Sequence, residues 1–185
     1  MCMLGIKDLI YRYRHNRGYG VQSPCAFHFV MSVVAEKHSY YAYPSINSVA
    51  AKCGCKAAHA RMLFRIANYA RPQSIMTYAP SEAAVCALSM ARPSAPVSAF
   101  RQGQPFGLLY VGEASERVSV VRQAIECASQ NSVIIVDTKR RTREIEKFWH
   151  EIKQNPAVAV TFDLYSMGVL FFDKSYKKQH YTLKK

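Results

Sequence analysis

Long apolar runs are missing from this 185-residue chain. No segment approaches the ~18 residues of a membrane span, so no membrane association is expected. Nothing near the start reads as an export signal either, because Lys7, Asp8, Arg12 and Arg14 interrupt what little apolar sequence there is. The cysteines, Cys2, Cys25, Cys53, Cys55, Cys86 and Cys127, are scattered. Reduced thiols in a cytoplasmic protein are therefore expected. Cys53-Gly54-Cys55 with His59 has no second ligand cluster beside it, which makes a thin zinc signal, and no metal is expected. His15, His28, His38, His150 and His180 are dispersed and outline no triad. Internal repeats and low-complexity segments are absent as well.

Acidic residues are scarce: 12 Asp and Glu face 25 Lys and Arg, for a net charge of +13 and a pI of about 9.6. Residues 1–72 hold ten of the basic and only two of the acidic side chains. Such a surplus favours an acidic partner or nucleic acid. With 50% hydrophobic residues the chain can bury one good core. The simplest organisation is a basic helical extension over residues 1–56 followed by a single domain over 57–185. A homodimer formed through the extension is a candidate assembly.

Along the extension, residues 3–14 read as a short basic helix and Arg17-Gly18-Tyr19-Gly20 as a turn. Ser23-Pro24 is a strong helix start, with Phe27, Val30, Met31 and Val34 as the apolar stripe. Tyr40, Tyr41 and Tyr43 precede a short helix around Ile46–Ala51, and a further helix spans about Ala57–Ala70. The tyrosines could stack on bases, but packing is the plainer use.

Ser74–Tyr78 then reads as a buried strand, and Ser81 caps a helix from Glu82 to Met90. Strand, tight turn and helix is where a Rossmann-like domain places a nucleotide cofactor. That turn normally carries glycine, and this one has none. Further strands are expected at Val97–Phe100, Phe106–Val111 and Ser132–Val136, then at Val158–Leu164 and Val169–Phe172 as an antiparallel hairpin. Ile145, Phe148, Trp149 and Ile152 form one stripe of the helix that Thr142 caps, and Trp149 should pack on the sheet. Only Arg101–Pro105 separate two of the strands, whereas a parallel crossover takes about a dozen residues.

With that order in view, the chain resembles class I S-adenosylmethionine (SAM)-dependent methyltransferases, and within them a bacterial O-methyltransferase-like group. The resemblance rests on Ile134-Ile135-Val136-Asp137, Phe148-Trp149, Glu151-Ile152-Lys153, Pro156, Asp163-Leu164, Gly168, Phe171-Phe172 and His180-Tyr181-Thr182-Leu183. It continues in Gly20-Val21-Gln22-Ser23-Pro24, Leu63-Phe64-Arg65 and Asn68-Tyr69. It implies a mostly parallel Rossmann-like sheet ending in an antiparallel hairpin, here truncated, with the third strand and its helices missing.

The departures fall on the cofactor positions. The group's acidic-x-Gly-x-x-x-Gly is replaced by Thr77-Tyr78-Ala79-Pro80-Ser81-Glu82-Ala83. No ribose-binding carboxylate follows Phe100, where the chain continues Arg101-Gln102-Gly103-Gln104. The group's Asp-containing fourth-strand motif becomes Gly112-Glu113-Ala114-Ser115, and its Asp-Asp pair becomes Asp137-Thr138. Thr77, Ala79, Ser81, Ala83, Gly112 and Glu113 are thus degenerate cofactor positions, and no cofactor is expected. Asp137 is the one catalytic candidate, as base or metal ligand, against a role capping the following turn. Glu113 and Glu116 suit a helix start better than an acid–base pair. Lys139, Arg140, Arg141 and Arg143 are anion-binding candidates on what is otherwise a solvated face. Three readings follow: a methyltransferase relative without cofactor or catalysis, a working SAM-dependent methyltransferase with an atypical loop, and a basic module binding RNA or another polyanion.

Overall fold

The computed structural model describes residues 21, 23–139, 142–164 and 166–183. The expected helix over 3–14, the turn at 17–20, and Arg140 and Arg141 lie outside them. The described chain runs α1 (Pro24–Phe29), a π-helical turn (Val30–Val34), α2 (Tyr43–Lys52), α3 (Ala57–Ala70), β1 (Ile75–Tyr78), α4 (Glu82–Ala91), β2 (Val97–Ala99) and β3 (Leu108–Val111). It continues with α5 (Arg117–Glu126), β4 (Val133–Asp137), α6 (Arg143–Gln154), β5 (Val160–Asp163), β6 (Met167–Phe171) and β7 (Gln179–Thr182).

The strands form one sheet in the order β2-β1-β3-β4-β6-β5-β7. β1, β2, β3 and β4 pair in parallel, and β6 is antiparallel to both β4 and β5. β7, which the sequence pattern does not announce, adds in parallel to β5. The central strands are buried along their whole length, so alternate residues serve two cores. Ile75, Leu108, Tyr110, Ile135 and Val169 face α1–α4, while Met76, Leu109, Ile134, Val136 and Leu170 face α5 and α6. Trp149 packs on the sheet so closely that a Cβ at Gly168 of β6 would overlap its ring. Phe29, Val30, Val33, Ile46 and Ala50 of the N-terminal helices enter the core that α3 and α4 share with the sheet.

The expected starts hold: Ser23, Ser81 and Thr142 each accept a backbone N–H of the following helix. The first apolar stripe holds for Val30 and Val34, which are buried, and differs at its other two members. Phe27 and Met31 are exposed, and Ala26, Phe29, Val30 and Val33 face inward; the π-helical turn changes which residues meet the sheet. The crossover from β2 to β3 passes β1 over residues 100–107 without a helix or third strand. Strands this short need a return of only ~16 Å, well inside the reach of eight residues. Phe100 and Phe106 anchor the link against the α5–α6 core.

Candidate functional site

In a sheet of this kind, ligands bind beyond the carboxyl ends of the strands where the chain order reverses. Here that point lies between β1 and β3, because the chain leaves β1 for β2 and then returns to β3 on the other side. Thr77, near the end of β1, is buried, and its hydroxyl donates to the carbonyl of Ser98 at 3.4 Å. Ala79 adopts the left-handed region at φ +47°, which costs an L-residue about 1–2 kcal/mol. The backbone follows a path that suits glycine while carrying a methyl group. Across the crevice, Gly112 donates its N–H to the carbonyl of Tyr78 at 2.8 Å, and a Cβ on it would overlap the carbonyl oxygen of Ala79. The exits of the two strands are therefore in direct contact.

α4 starts at this crevice. Ser81 accepts the N–H of Ala84 at 3.2 Å, and Ala83 is buried. Glu82 occupies the first turn, where a carboxylate complements the exposed N–H groups. Glu113 and Glu116 lie exposed beyond β3. Glu116 takes the N-cap position of α5 and accepts from the Tyr78 hydroxyl at 3.4 Å. A hydrogen bond from Ser115, followed by backbone and Tyr78 contacts, holds its carboxyl below the usual range.

Asp137 ends β4 at the same edge and is only 2% exposed. One carboxylate oxygen accepts the N–H of Lys139 at 2.9 Å, a local turn cap. The other is approached by the Lys139 ammonium at 3.3 Å, the Tyr110 hydroxyl at 3.5 Å and His59 Nε2 at 3.4 Å. Arg117 adds a hydrogen bond to the Asp137 carbonyl at 3.2 Å. His59 arrives because α3 precedes β1 and its first turn lies at the carboxyl edge. Burial pushes its imidazole down to about 4, with Asp137 opposing and Lys139 assisting the shift. Neither ring nitrogen has an aligned hydrogen-bond partner or contact with solvent. Burial, then the Asp137 charge, raises the Tyr110 phenol. At neutral pH the cluster therefore sets a neutral histidine and a protonated tyrosine beside the contact between Asp137 and Lys139.

Asp137 and Lys139 thus meet, and Lys139 directs its ammonium inward; Arg143 stands exposed at the first residue of α6. His59 meets Asp137 at 3.4 Å. Among the described residues no three His, Cys, Asp or Glu side chains form a metal site. Sequence reading named His59 only as a zinc candidate, since its neighbours in space are distant in the chain. The one available signal was topological: a helix leading into β1 must begin near the strands' carboxyl ends. Tyr43 is buried, Tyr40 packs on Phe64, and exposed Tyr41 donates to the Met90 carbonyl at 2.7 Å. No helix among the described residues is long and apolar enough to cross a membrane.

No family model matches the chain, and no curated protein sequence matches it. Solved structures do. A methyltransferase from Geobacter sulfurreducens aligns with a TM-score of 0.57 at 12% identity, over 75% of this chain and 92% of that one. An S-adenosylhomocysteine (SAH)-bound methyltransferase from Podospora anserina aligns with a TM-score of 0.54 at 9% identity, over 93% and 98% of the two chains. The likeness is one of fold.

Proposed function

From a class I methyltransferase fold as premise, we propose that this chain descends from SAM-dependent methyltransferases, keeps their architecture without their cofactor, and acts by binding. The observation that carries this reading is the exit of β1. Thr77 has no charge to hold an ammonium and its hydroxyl is engaged by Ser98. Ala79 projects a methyl group from a glycine-like backbone position. Two lost charged hydrogen bonds, at the β1 exit and after Phe100, weaken binding by about 3–6 kcal/mol, a hundredfold to over ten-thousandfold in affinity. The net charge of +13 nominates an acidic partner.

One observation favours a working enzyme instead: Ala79 still traces the left-handed turn that such a loop requires. A thermal melt with SAM separates the two readings. At about 1 mM ligand, a 10 µM site would add about 2.7 kcal/mol. In a domain this size that is a rise of roughly 5–10 °C. The cofactor-free reading predicts an unchanged melting temperature, and a rise of that size would replace it with the enzyme.

A further inference from the structure

We propose that Cys53 and Cys55 form a dithiol site that exchanges with low-molecular-weight disulfides, Cys53 attacking and Cys55 resolving. The pair sits in the turn that stops α2. The Cys55 N–H reaches the Ala50 carbonyl at 2.8 Å and the Gly54 N–H that of Ala51 at 3.3 Å, with Gly54 left-handed at φ +65°. This two-bond helix stop is a sufficient structural reason for Gly54; the sulfurs themselves make only long contacts to backbone carbonyls, Cys53 to Ala50 at 3.6 Å and Cys55 to Cys53 at 3.8 Å. Both cysteines are half-buried, and a Cβ placed at Gly54 would meet nothing within 4 Å, so the turn faces open space. Residues two apart across a helical or mirror-helical dihedral pair have Cα atoms roughly 5.4 Å apart, inside the 4.4–6.8 Å range of disulfides.

The surroundings also distinguish the two sulfurs. The Cys55 S–H lies against Cys53, 3.8 Å from its carbonyl; hydrogen bonding from Cys55, opposed by burial and assisted by backbone N–H groups including that of Ala83 near the start of α4, holds the Cys53 thiol below the usual range. Cys86, by contrast, is raised by burial and lies 3.8 Å from the Met90 sulfur.

The chemistry is two successive exchanges. The Cys53 thiolate attacks one sulfur of a disulfide such as glutathione disulfide, forms a mixed disulfide and releases one thiol. Deprotonated Cys55 then attacks the Cys53 sulfur and releases the second. Two protein thiols lose two electrons and two protons, and one small disulfide becomes two thiols.

The test is peptide mass spectrometry on the full chain, first with limiting iodoacetamide near pH 7 and then with glutathione disulfide. One unit of pKa separation changes the thiolate fraction roughly tenfold, and the weaker nucleophilicity of the more acidic thiol offsets part of it. With Cys53 held low and Cys86 raised by burial, Cys53 should be alkylated faster than Cys86. Glutathione disulfide should yield a Cys53–Cys55 bridge in the native protein and a stable glutathione adduct on Cys53 in Cys55→Ser. Alkylation of Cys53 no faster than Cys86, or a persistent Cys53 adduct while native Cys55 stays free, would overturn the proposal. The first readout needs no variant.

Discussion

His59 should make this protein acid-sensitive between pH 6.5 and about 4, and replacing it with leucine should remove that sensitivity. The imidazole takes up a proton near 6.5 when unfolded and near 4 inside the fold. Across that interval the unfolded chain binds more protons, so falling pH favours unfolding. The stability from the neutral, buried form is complete above pH 6.5 and is lost as pH falls toward 4. At pH 4.5 the two values correspond to about 2.5 kcal/mol, and roughly 2 is the working figure because Asp137 and Lys139 share the cluster. Leucine also removes two buried nitrogens without aligned partners, so the variant should come within about 1 kcal/mol of the native protein at pH 7.5. Urea unfolding of both proteins from pH 7.5 to 4.5 measures the difference in slope. His180, also lowered by burial, titrates in both and cancels. Parallel stability curves would refute the reasoning.

Three further outcomes are expected. Gly168→Ala should cost about 1–3 kcal/mol, because the new methyl must displace the packed Trp149 ring; chemical denaturation checks it, and a neutral result would mean the ring yields freely. Thr142→Ala should cost about 1 kcal/mol through the lost cap on the Ile145 N–H, readable as a lower denaturation midpoint. If the positive surplus serves a polyanion, fluorescence anisotropy with labelled RNA should show micromolar or weaker binding that falls steeply with salt, and neutralising Arg140, Arg141 and Arg143 together should weaken it across sequences; no binding at low salt removes that use of the charge.

What the sequence made legible is what local chemistry encodes. α3 spans Ala57–Ala70 as read from its spacing, and the Ser81 and Thr142 caps required only a hydroxyl before an apolar stripe. The antiparallel β5–β6 pair followed from two apolar runs around a turn, although β6 starts at Met167, inside the segment read as the loop. β7 escaped notice because Gln179–Thr182 is a short, half-buried edge strand with only Tyr181 buried. The π-helical turn at Val30–Val34 leaves no mark in an apolar stripe that suits an α-helix equally well. At the site, the glycine-free turn was visible residue by residue. The closeness of Ala79 to Gly112, and the meeting of His59, Tyr110 and Lys139 around Asp137, depend on sheet order and helix packing, which single-chain spacing does not carry.

Isothermal titration of purified full-length protein with SAM tests the central claim most directly. The account predicts no saturable heat at any affinity tighter than about 50 µM; a saturable isotherm tighter than that would contradict it and make the chain a working cofactor-binding methyltransferase fold.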